Sequence, residues 1–269
     1  MKKTFLPFAV IAIIALLTVS SCKKDKDNDL GSGPITLHFD NRAGSDDLVF
    51  GTNYTTPNGE SVNFSKFNYY ISNVVFIKTD GSEYVVPKDS CYHLVMESDP
   101  ESAELTINNV PGGDYNGVRF IIGVDSLKST TDISQRTGDL DPADAASDMY
   151  WTWNSGYIFY KLEGTSPSAP YDSMMGMSMF YYHIGGFGGY NAPTINNIKT
   201  VTLNYSGEAG HAGTGKAPEI HIFADVMEVF KTPTNLIIAD HPGVMFAPYS
   251  TTIADNYKDM FTINHIHND

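Results

Sequence analysis

The stretch MYWTWNSGYIFYKLEG, residues 149–164, decides the fold class of this chain. Side chains of an extended backbone alternate between two faces, so Trp151 and Trp153 fall on one face and their indole rings are expected to be neighbours. Gly156 predicts a turn or bulge, and the aromatic run at 157–162 favours a strand. Taken alone, the stretch is typical of two aromatic anchors in the core of a β-sandwich.

Strand patterns recur along the rest of the chain. They cover Ile35–Asp40, Glu83–Val86, Cys91–Val95, Leu105–Val110, Tyr115–Val124, Met174–Ile184, Ile198–Tyr205 and Glu219–Ala224. Residues 62–78 are expected to break into two strands near Ser72, and short helices are expected at 225–231 and 253–261. The sequence therefore predicts an all-β fold, a β-sandwich with long loops and one or two short helices.

A single folded domain accounts for most of the chain, because neither a repeat nor an internal linker interrupts it. We expect the sandwich to comprise residues 34–232. Residues 233–269 are then a C-terminal extension packed on the same domain.

The N-terminus predicts a lipoprotein. Residues 1–21 have the pattern of a signal peptide, because two lysines precede an apolar run. Val-Ser-Ser before Cys22 matches a bacterial lipobox. Lipidation of Cys22 would anchor the protein to a membrane, and residues 22–33 would form a flexible tether. The alternative is an uncleaved transmembrane helix, but the apolar run at 5–19 is short of the roughly twenty residues needed. We expect an outer membrane lipoprotein of the cell envelope, facing the periplasm or the outside.

Charge and motifs exclude several functions. The formal net charge is −14, and loss of residues 1–21 removes two lysines and no acids and so lowers it to −16. Nucleic acid is therefore not an expected partner, because phosphate binding needs a basic patch. The sequence contains neither G-x-S-x-G nor H-E-x-x-H, and we expect no catalysis. Cys91, the single cysteine besides Cys22, is expected to be a buried thiol.

Eight histidines provide candidate metal ligands. Four of them lie in predicted strands, namely His38, His93, His183 and His221, and imidazole is the commonest metal ligand in proteins. A sandwich can bring two such strands together, and on strand geometry we select His38 and His221. His265 and His267 share a face if the C-terminal end is extended.

Methionines form a stripe beside His183. If 174–184 is extended, Met175, Met177 and Met179 share a face with His183, and thioether and imidazole ligands suit Cu(I). Met179 and His183 are about 13 Å apart on one strand, however, and cannot share an ion.

A hard cation has a separate candidate site in the loop between residues 125 and 148. Its six aspartates are Asp125, Asp132, Asp139, Asp141, Asp144 and Asp148. Their oxygens suit calcium. They lack EF-hand spacing, so solvated loop acids are the simpler interpretation.

Seven segments, taken in order, resemble the MbnP-like proteins, the methanobactin-associated copper-binding family. They are LHFDN (37–41), FNYYISNVVF (67–76), GVRFIIGVDS (117–126), GDLDP (138–142), MYWTWNSGYIFYKLEG (149–164), FYYHIGG (180–186) and IHIFADVMEVF (220–230). The resemblance covers about residues 34–232, and its specific parts are the W-x-W-x-x-G-Y stretch and the later H-I-G.

The resemblance implies an extracytoplasmic β-sandwich that binds copper. It also implies that Trp151 or Trp153 is oxidised to kynurenine by a di-haem cytochrome c peroxidase-like partner, MbnH, with His183 of H-I-G near that residue. Kynurenine has an aromatic amine and a ketone, donors that indole lacks. The sequence departs from methanotroph members after H-I-G, where Gly185 leads to FGGY without a cysteine, which removes a disulfide that the resemblance would imply.

Two hypotheses of different class follow. In the first, the protein is a lipid-anchored copper-binding protein that turns nothing over. In the second, it is a surface module that binds glycan or protein through exposed aromatic residues, without a metal. Sixteen tyrosines and many Asn/Gly loops support this second hypothesis.

Overall fold

The computed structural model describes Met1 and residues 30–144, 148–153 and 156–268. The predicted signal peptide beyond Met1, Cys22 and the tether up to residue 29 lie outside the described residues. Within the described part, no helix has the length and apolar character needed to cross a membrane.

Strands dominate the described chain. They are β1 (Ser32–Ala43), β2 (Asp46–Asp47), β3 (Asn53–Thr55), β4 (Ser61–Lys78), β5 (Glu83–Val85), β6 (His93–Met96), β7 (Glu104–Pro111), β8 (Gly113–Ile122), β9 (Tyr150–Trp151), β10 (Gly156–Thr165), β11 (Tyr171–Asp172), β12 (Met177–Gly185), β13 (Lys199–Asn204), β14 (Gly210–Ala212), β15 (Glu219–Asp225), β16 (Gly243–Val244) and β17 (Phe261–His267). The α-helices are α1 (Ser126–Ser129) and α2 (Ser250–Tyr257), and short 3-10 helices cover Lys88–Ser90, Pro100–Ala103, Ile133–Gln135, Gly138–Leu140 and Val226–Phe230.

These strands form two sheets, which confirms the predicted all-β sandwich. The smaller sheet has the order β17-β15-β1-β2, with β7 also paired to β1. The larger sheet has the main order β11-β12-β10-β4-β8-β13, extended by six shorter strands. β1 and β15 run parallel, with His38 opposite His221, and β17 pairs antiparallel with β15, with His265 opposite His221.

Aromatic rings fill the space between the sheets. Phe39 and Phe261 of the smaller sheet meet Tyr69 and Phe120 of the larger one. The ring centroids of Phe120 and Phe261 are 5.1 Å apart and those of Phe39 and Phe120 are 6.0 Å apart, both edge to face. Such edge-to-face pairs add to the burial of apolar area, so this cluster holds the two sheets together.

The structure corrects two details of the predicted strands. Residues 61–78 form one strand rather than two, because a register shift between Ser72 and Val75, with Asn73 at φ 53°, absorbs the irregularity without ending the pairing. The extended segment begins at Met177 rather than Met174, because β11 folds back on β12 and the Asp172 side chain accepts a bond from the Met174 amide at 2.8 Å.

A second apolar cluster lies on the outer face of the larger sheet. Tyr70 and Phe159 project from this face and are covered by Met149 and Trp151, together with part of the loop after β8. Met149 and Trp151 therefore form an outer layer on the larger sheet, whereas Tyr160 and Leu162, later in the same stretch, belong to the core between the sheets.

We expect Phe120→Ala to lower the free energy of unfolding by about 3–5 kcal/mol, since it leaves a cavity between the sheets. Denaturant unfolding followed by circular dichroism measures the loss. Leu127→Ala, at an exposed side chain, is the control and should change stability by less than about 0.5 kcal/mol. Equal effects of the two substitutions would contradict the packing described.

Candidate functional site

The two tryptophans form a contacting pair, as the alternation predicted. Their ring centroids are 5.2 Å apart with an interplanar angle of 39°. Trp151 is 4% exposed and Trp153 is 62% exposed. The Trp151 indole is thus buried in the outer cluster, whereas the Trp153 indole contacts it and is exposed to solvent.

Trp151 packs against the end of the strand that carries His183. A Cβ on Gly185 would lie 2.8 Å from the Trp151 ring, so this position must be glycine for the indole to fit. The ring also meets Phe246 edge to face at 6.2 Å. Its Nε1 is buried and has no hydrogen-bond partner among the described residues. A buried N–H of this kind costs about 1–3 kcal/mol.

A chain of charged groups connects the tryptophan stretch to His183. Lys161 is nearly buried and donates to Asp148 twice, to its carboxylate at 2.5 Å and to its carbonyl at 2.9 Å. Lys66 forms a second ion pair with the same carboxylate. On the other side, Nζ of Lys161 lies 3.6 Å from Glu163, whose Oε1 is 2.7 Å from Nε2 of His183.

This chain sets the orientation of His183. A carboxylate only accepts hydrogen bonds, so Nε2 of His183 is the nitrogen that donates to Glu163, and in the neutral tautomer compatible with this bond the lone pair is on Nδ1. The hydrogen bond from His183 lowers the pKa of Glu163, against the opposing effect of burial. A carboxylate that holds one imidazole nitrogen while the other stays free is the usual arrangement around a metal-binding histidine.

An open groove next to His183 contains thioether groups. Its lining includes Met174, Met175, Met179 and Tyr181. Met174 and Met175 reach the groove because the turn between β11 and β12 brings them back over the strand, which the sequence pattern did not indicate. Thioether and imidazole groups are ligands that soft copper(I) prefers.

A separate imidazole cluster lies on the outer face of the smaller sheet. His38, His221 and His265 occupy opposed positions on β1, β15 and β17, and Glu219 and His267 occupy the next pair of positions. The structure thus brings together His38 and His221, two of the three predicted metal ligands. His183 lies on the larger sheet. The role of Glu219 was missed, since nothing in its local sequence marks it, whereas the i, i+2 spacing of His265 and His267 was a visible signal.

Five of the six loop aspartates, all but Asp144, accept a side-chain hydrogen bond from described residues of the protein. Asp125 caps α1 through the Lys128 amide and accepts a bond from Tyr92, and Asp139 accepts the Leu94 amide. Among the described residues, the groups that bring three ligand atoms together are two sets within the imidazole cluster, and the loop aspartates are in neither. The calcium site stays a prediction.

The surrounding protein accounts for two remaining candidates, His93 and Cys91. Nε2 of His93 is 2.7 Å from the Ser102 carbonyl and its Nδ1 is 3.1 Å from Asp139, so both of its nitrogens are engaged. Cys91 is fully buried and free, and burial raises the pKa of its thiol, which disfavours the reactive thiolate.

Comparison with known proteins agrees with this architecture. A model of the MbnP family matches residues 32–246. The solved structure of MbnP from Methylosinus trichosporium is similar with a TM-score of 0.54, covering 88% of this chain and 99% of that one at 13% sequence identity, which indicates a shared fold. No curated protein matches the chain. His265 and His267 lie beyond the residues that the family model matches.

We expect Asp148→Asn to destabilise the protein and loosen the tryptophan stretch, because it leaves Lys161 without its closest anion. Burial opposes ionisation of Asp148, but the hydrogen bonds from Lys161 and Lys66 outweigh it and keep its pKa below the ordinary 3.8. The contribution of Asp148 is therefore present above about pH 4 and lost as the pH falls through the lowered pKa. Thermal unfolding and tryptophan fluorescence across this range measure both effects.

The matched control removes both charges. Asp148→Asn combined with Lys161→Met should recover part of the lost stability, because a buried charge no longer lacks a partner. An Asp148→Asn protein with the unfolding midpoint and acid profile of the parent would show that this ion pair does not hold the stretch.

Proposed function

Since a model of the MbnP family matches residues 32–246, the chain belongs to this family, and we propose that it is a lipid-anchored copper-binding protein of the cell envelope. The observation that carries the proposal is the packing of Trp151 on Gly185, two residues from His183 on the same face of β12. Along a strand, positions i and i+2 are about 6.6 Å apart, so the tryptophan and the imidazole belong to one local site.

In this proposal copper(I) is the cargo and His183 is a protein ligand. Glu163 holds Nε2 of His183, which leaves Nδ1 to face the ion. The thioethers of Met174 and Met175 line the same groove and offer soft ligands, whereas Met179 lies too far along the strand to share an ion with His183. The protein binds and delivers or stores the ion, and no catalytic turnover is part of the proposal.

Oxidation of a tryptophan to kynurenine would complete the ligand set. We assign this step to a di-haem cytochrome c peroxidase-like partner of the MbnH type, with two equivalents of hydrogen peroxide as the oxidant. The peroxide oxygens cleave the C2–C3 bond and the peroxide is reduced to water; hydrolysis then releases C2 as formate, which leaves a ketone and converts the buried indole nitrogen into an aromatic amine. Trp151 is favoured as the modified position by its contact with Gly185, and the exposed Trp153 ring at 5.2 Å offers a route for electrons to the partner.

The anchor rests on the sequence pattern at Cys22. Lipidation there would place the folded domain at a membrane surface, on a tether that extends to residue 33. An outer membrane lipoprotein facing the periplasm or the outside meets copper before the cytoplasm does, which is consistent with a role in uptake or storage.

A second candidate function is supported by exposed aromatic side chains. Trp153, Tyr171, Tyr181 and Tyr190 are all exposed, as glycan-binding and protein-binding surfaces require. A surface module of this kind predicts that a glycan or protein ligand protects Trp153 fluorescence without any metal. A signal that requires copper counts against it.

We expect protein purified from its native envelope to contain a modified tryptophan. Conversion to kynurenine raises the mass of the peptide that contains Trp151 and Trp153 by about 4 Da. Tandem mass spectrometry identifies which residue is changed. Unmodified tryptophans in protein isolated together with its partner would remove kynurenine from the proposal.

Copper binding is tested on the same protein before and after oxidation. We expect about one copper(I) per chain in competition with a chromophoric chelator, and about tenfold or more weaker binding in His183→Ala. His211→Ala is the matched control, because this histidine lies on β14 and pairs with Asp114 instead. Copper retention at background level in both states would contradict the proposed function.

A further inference from the structure

Four of the eight histidines meet on the outer face of the smaller sheet, far along the chain from the tryptophan stretch. Cross-strand pairing puts His38, His221 and His265 in one row over three adjacent strands. Side chains opposed in this way are about 4.5–5.5 Å apart at Cβ, so they contact one another. His267 follows His265 by two residues and returns to the same face.

The measured ring separations confirm a compact cluster. His221 is central, with ring centroids 4.2 Å from His265, 4.8 Å from His38 and 5.4 Å from His267. His265 and His267 are 4.8 Å apart. One ligand nitrogen from each of His221, His265 and His267 lies within 4.8 Å of the other two, and the same limit holds for His38, Glu219 and His221.

Negative charge accompanies the imidazoles. Oε1 of Glu219 is 3.1 Å from Nε2 of His221 and 3.3 Å from Nδ1 of His38. Glu104 lies 3.7 Å from the same Nδ1 of His38. That nitrogen is buried and makes no hydrogen bond of acceptable geometry, so it remains an unsatisfied polar atom beside two carboxylates. The negative charge of these two carboxylates favours binding of a cation beside the imidazoles.

A further contact orients one ring of the cluster. The Asn264 amide contacts Nδ1 of His265 at 2.7 Å and holds that ring in place, which leaves Nε2 as the nitrogen available to a ligand.

We propose that His221, His265 and His267 form a binding site for a divalent ion of the zinc class, with Glu219 as the carboxylate beside it. Three imidazoles are borderline ligands that suit Zn²⁺ and Cu²⁺ better than Cu⁺ or Ca²⁺, and Glu219 contacts the central one, His221. The site is independent of the proposed copper(I) site, because it lies on the other sheet and takes two of its ligands from residues that the family model does not match.

The apo geometry needs only a small adjustment to accept the ion. Metal–nitrogen bonds of about 2.0–2.1 Å in a tetrahedral site place ligand nitrogens about 3.3 Å apart. The ligand atoms lie within 4.8 Å of one another, so a contraction of at most about 1.5 Å per pair is required. Rotation of exposed side chains supplies such a shift, since His267 is exposed and His265 is only half-buried.

The test uses the full mature chain, stripped with a chelator and titrated with Zn²⁺ and with Co²⁺. We expect about one ion per chain to remain after gel filtration, and cobalt to give the intense visible absorption of a tetrahedral site. His221→Ala and His267→Ala should each lower the affinity by about tenfold or more, because each removes a ligand. His267→Ala alters an exposed side chain, so it tests the site even if His221→Ala fails to fold.

Two control variants distinguish this site from the proposed copper(I) site at His183. His241→Ala removes a histidine that stacks on Tyr249 at 3.5 Å, away from the cluster, and should leave zinc affinity unchanged. Trp151→Phe combined with His183→Ala should also retain zinc while losing copper(I). Absence of zinc and cobalt binding to the parent protein, or equal affinity in the parent and His267→Ala, would overturn the proposal whatever the copper result.

Discussion

The alternation of side chains along β4 is the constraint on which the rest of the structure depends. This strand pairs with β10 through its first part and with β8 through its second, so both halves of the larger sheet take their register from it. Its core-facing residues change parity twice: Val62 and Phe64, then Phe67 to Ile71, then Val74 and Phe76. The changes coincide with register shifts opposite Gly164 and around Asn73. Without these bulges a one-residue slip would turn core residues outward.

The outer faces of the two sheets carry the acid and imidazole side chains of the two candidate sites. In both places a glutamate holds an imidazole nitrogen. Glu219 lies two positions from His221 along one strand, and Glu163 lies diagonally across from His183 on the neighbouring strand. The strand period of two explains why this arrangement recurs, because it projects acid and imidazole to the same side. Lys161, nearly buried on the larger sheet, extends the first pair to the tryptophan stretch; the second pair has imidazoles on both sides instead.

The sequence predicts much of the local structure and little of the long-range pairing. Period two identified the strands and the contact between Trp151 and Trp153. The parallel register that sets His38 opposite His221 is decided by packing of the two strands against one core, and no residue near either histidine specifies it. The bulge at Asn73 was mistaken for a break because a local pattern does not distinguish an interrupted strand from an irregular one.

The positions of the two candidate sites on opposite outer faces of the sandwich have a chemical consequence. Divalent copper binds nitrogen ligands more strongly than zinc, so affinity alone would not keep a copper protein selective. Selectivity comes from the ligand type and from the oxidation state of the ion. Thioethers line the groove beside His183, whereas the cluster around His221 contains imidazoles and carboxylates only among its described neighbours. A packed aromatic core separates the two faces, so the two candidate sites share no ligands. Each outer face therefore has its own preference for a type of metal ion.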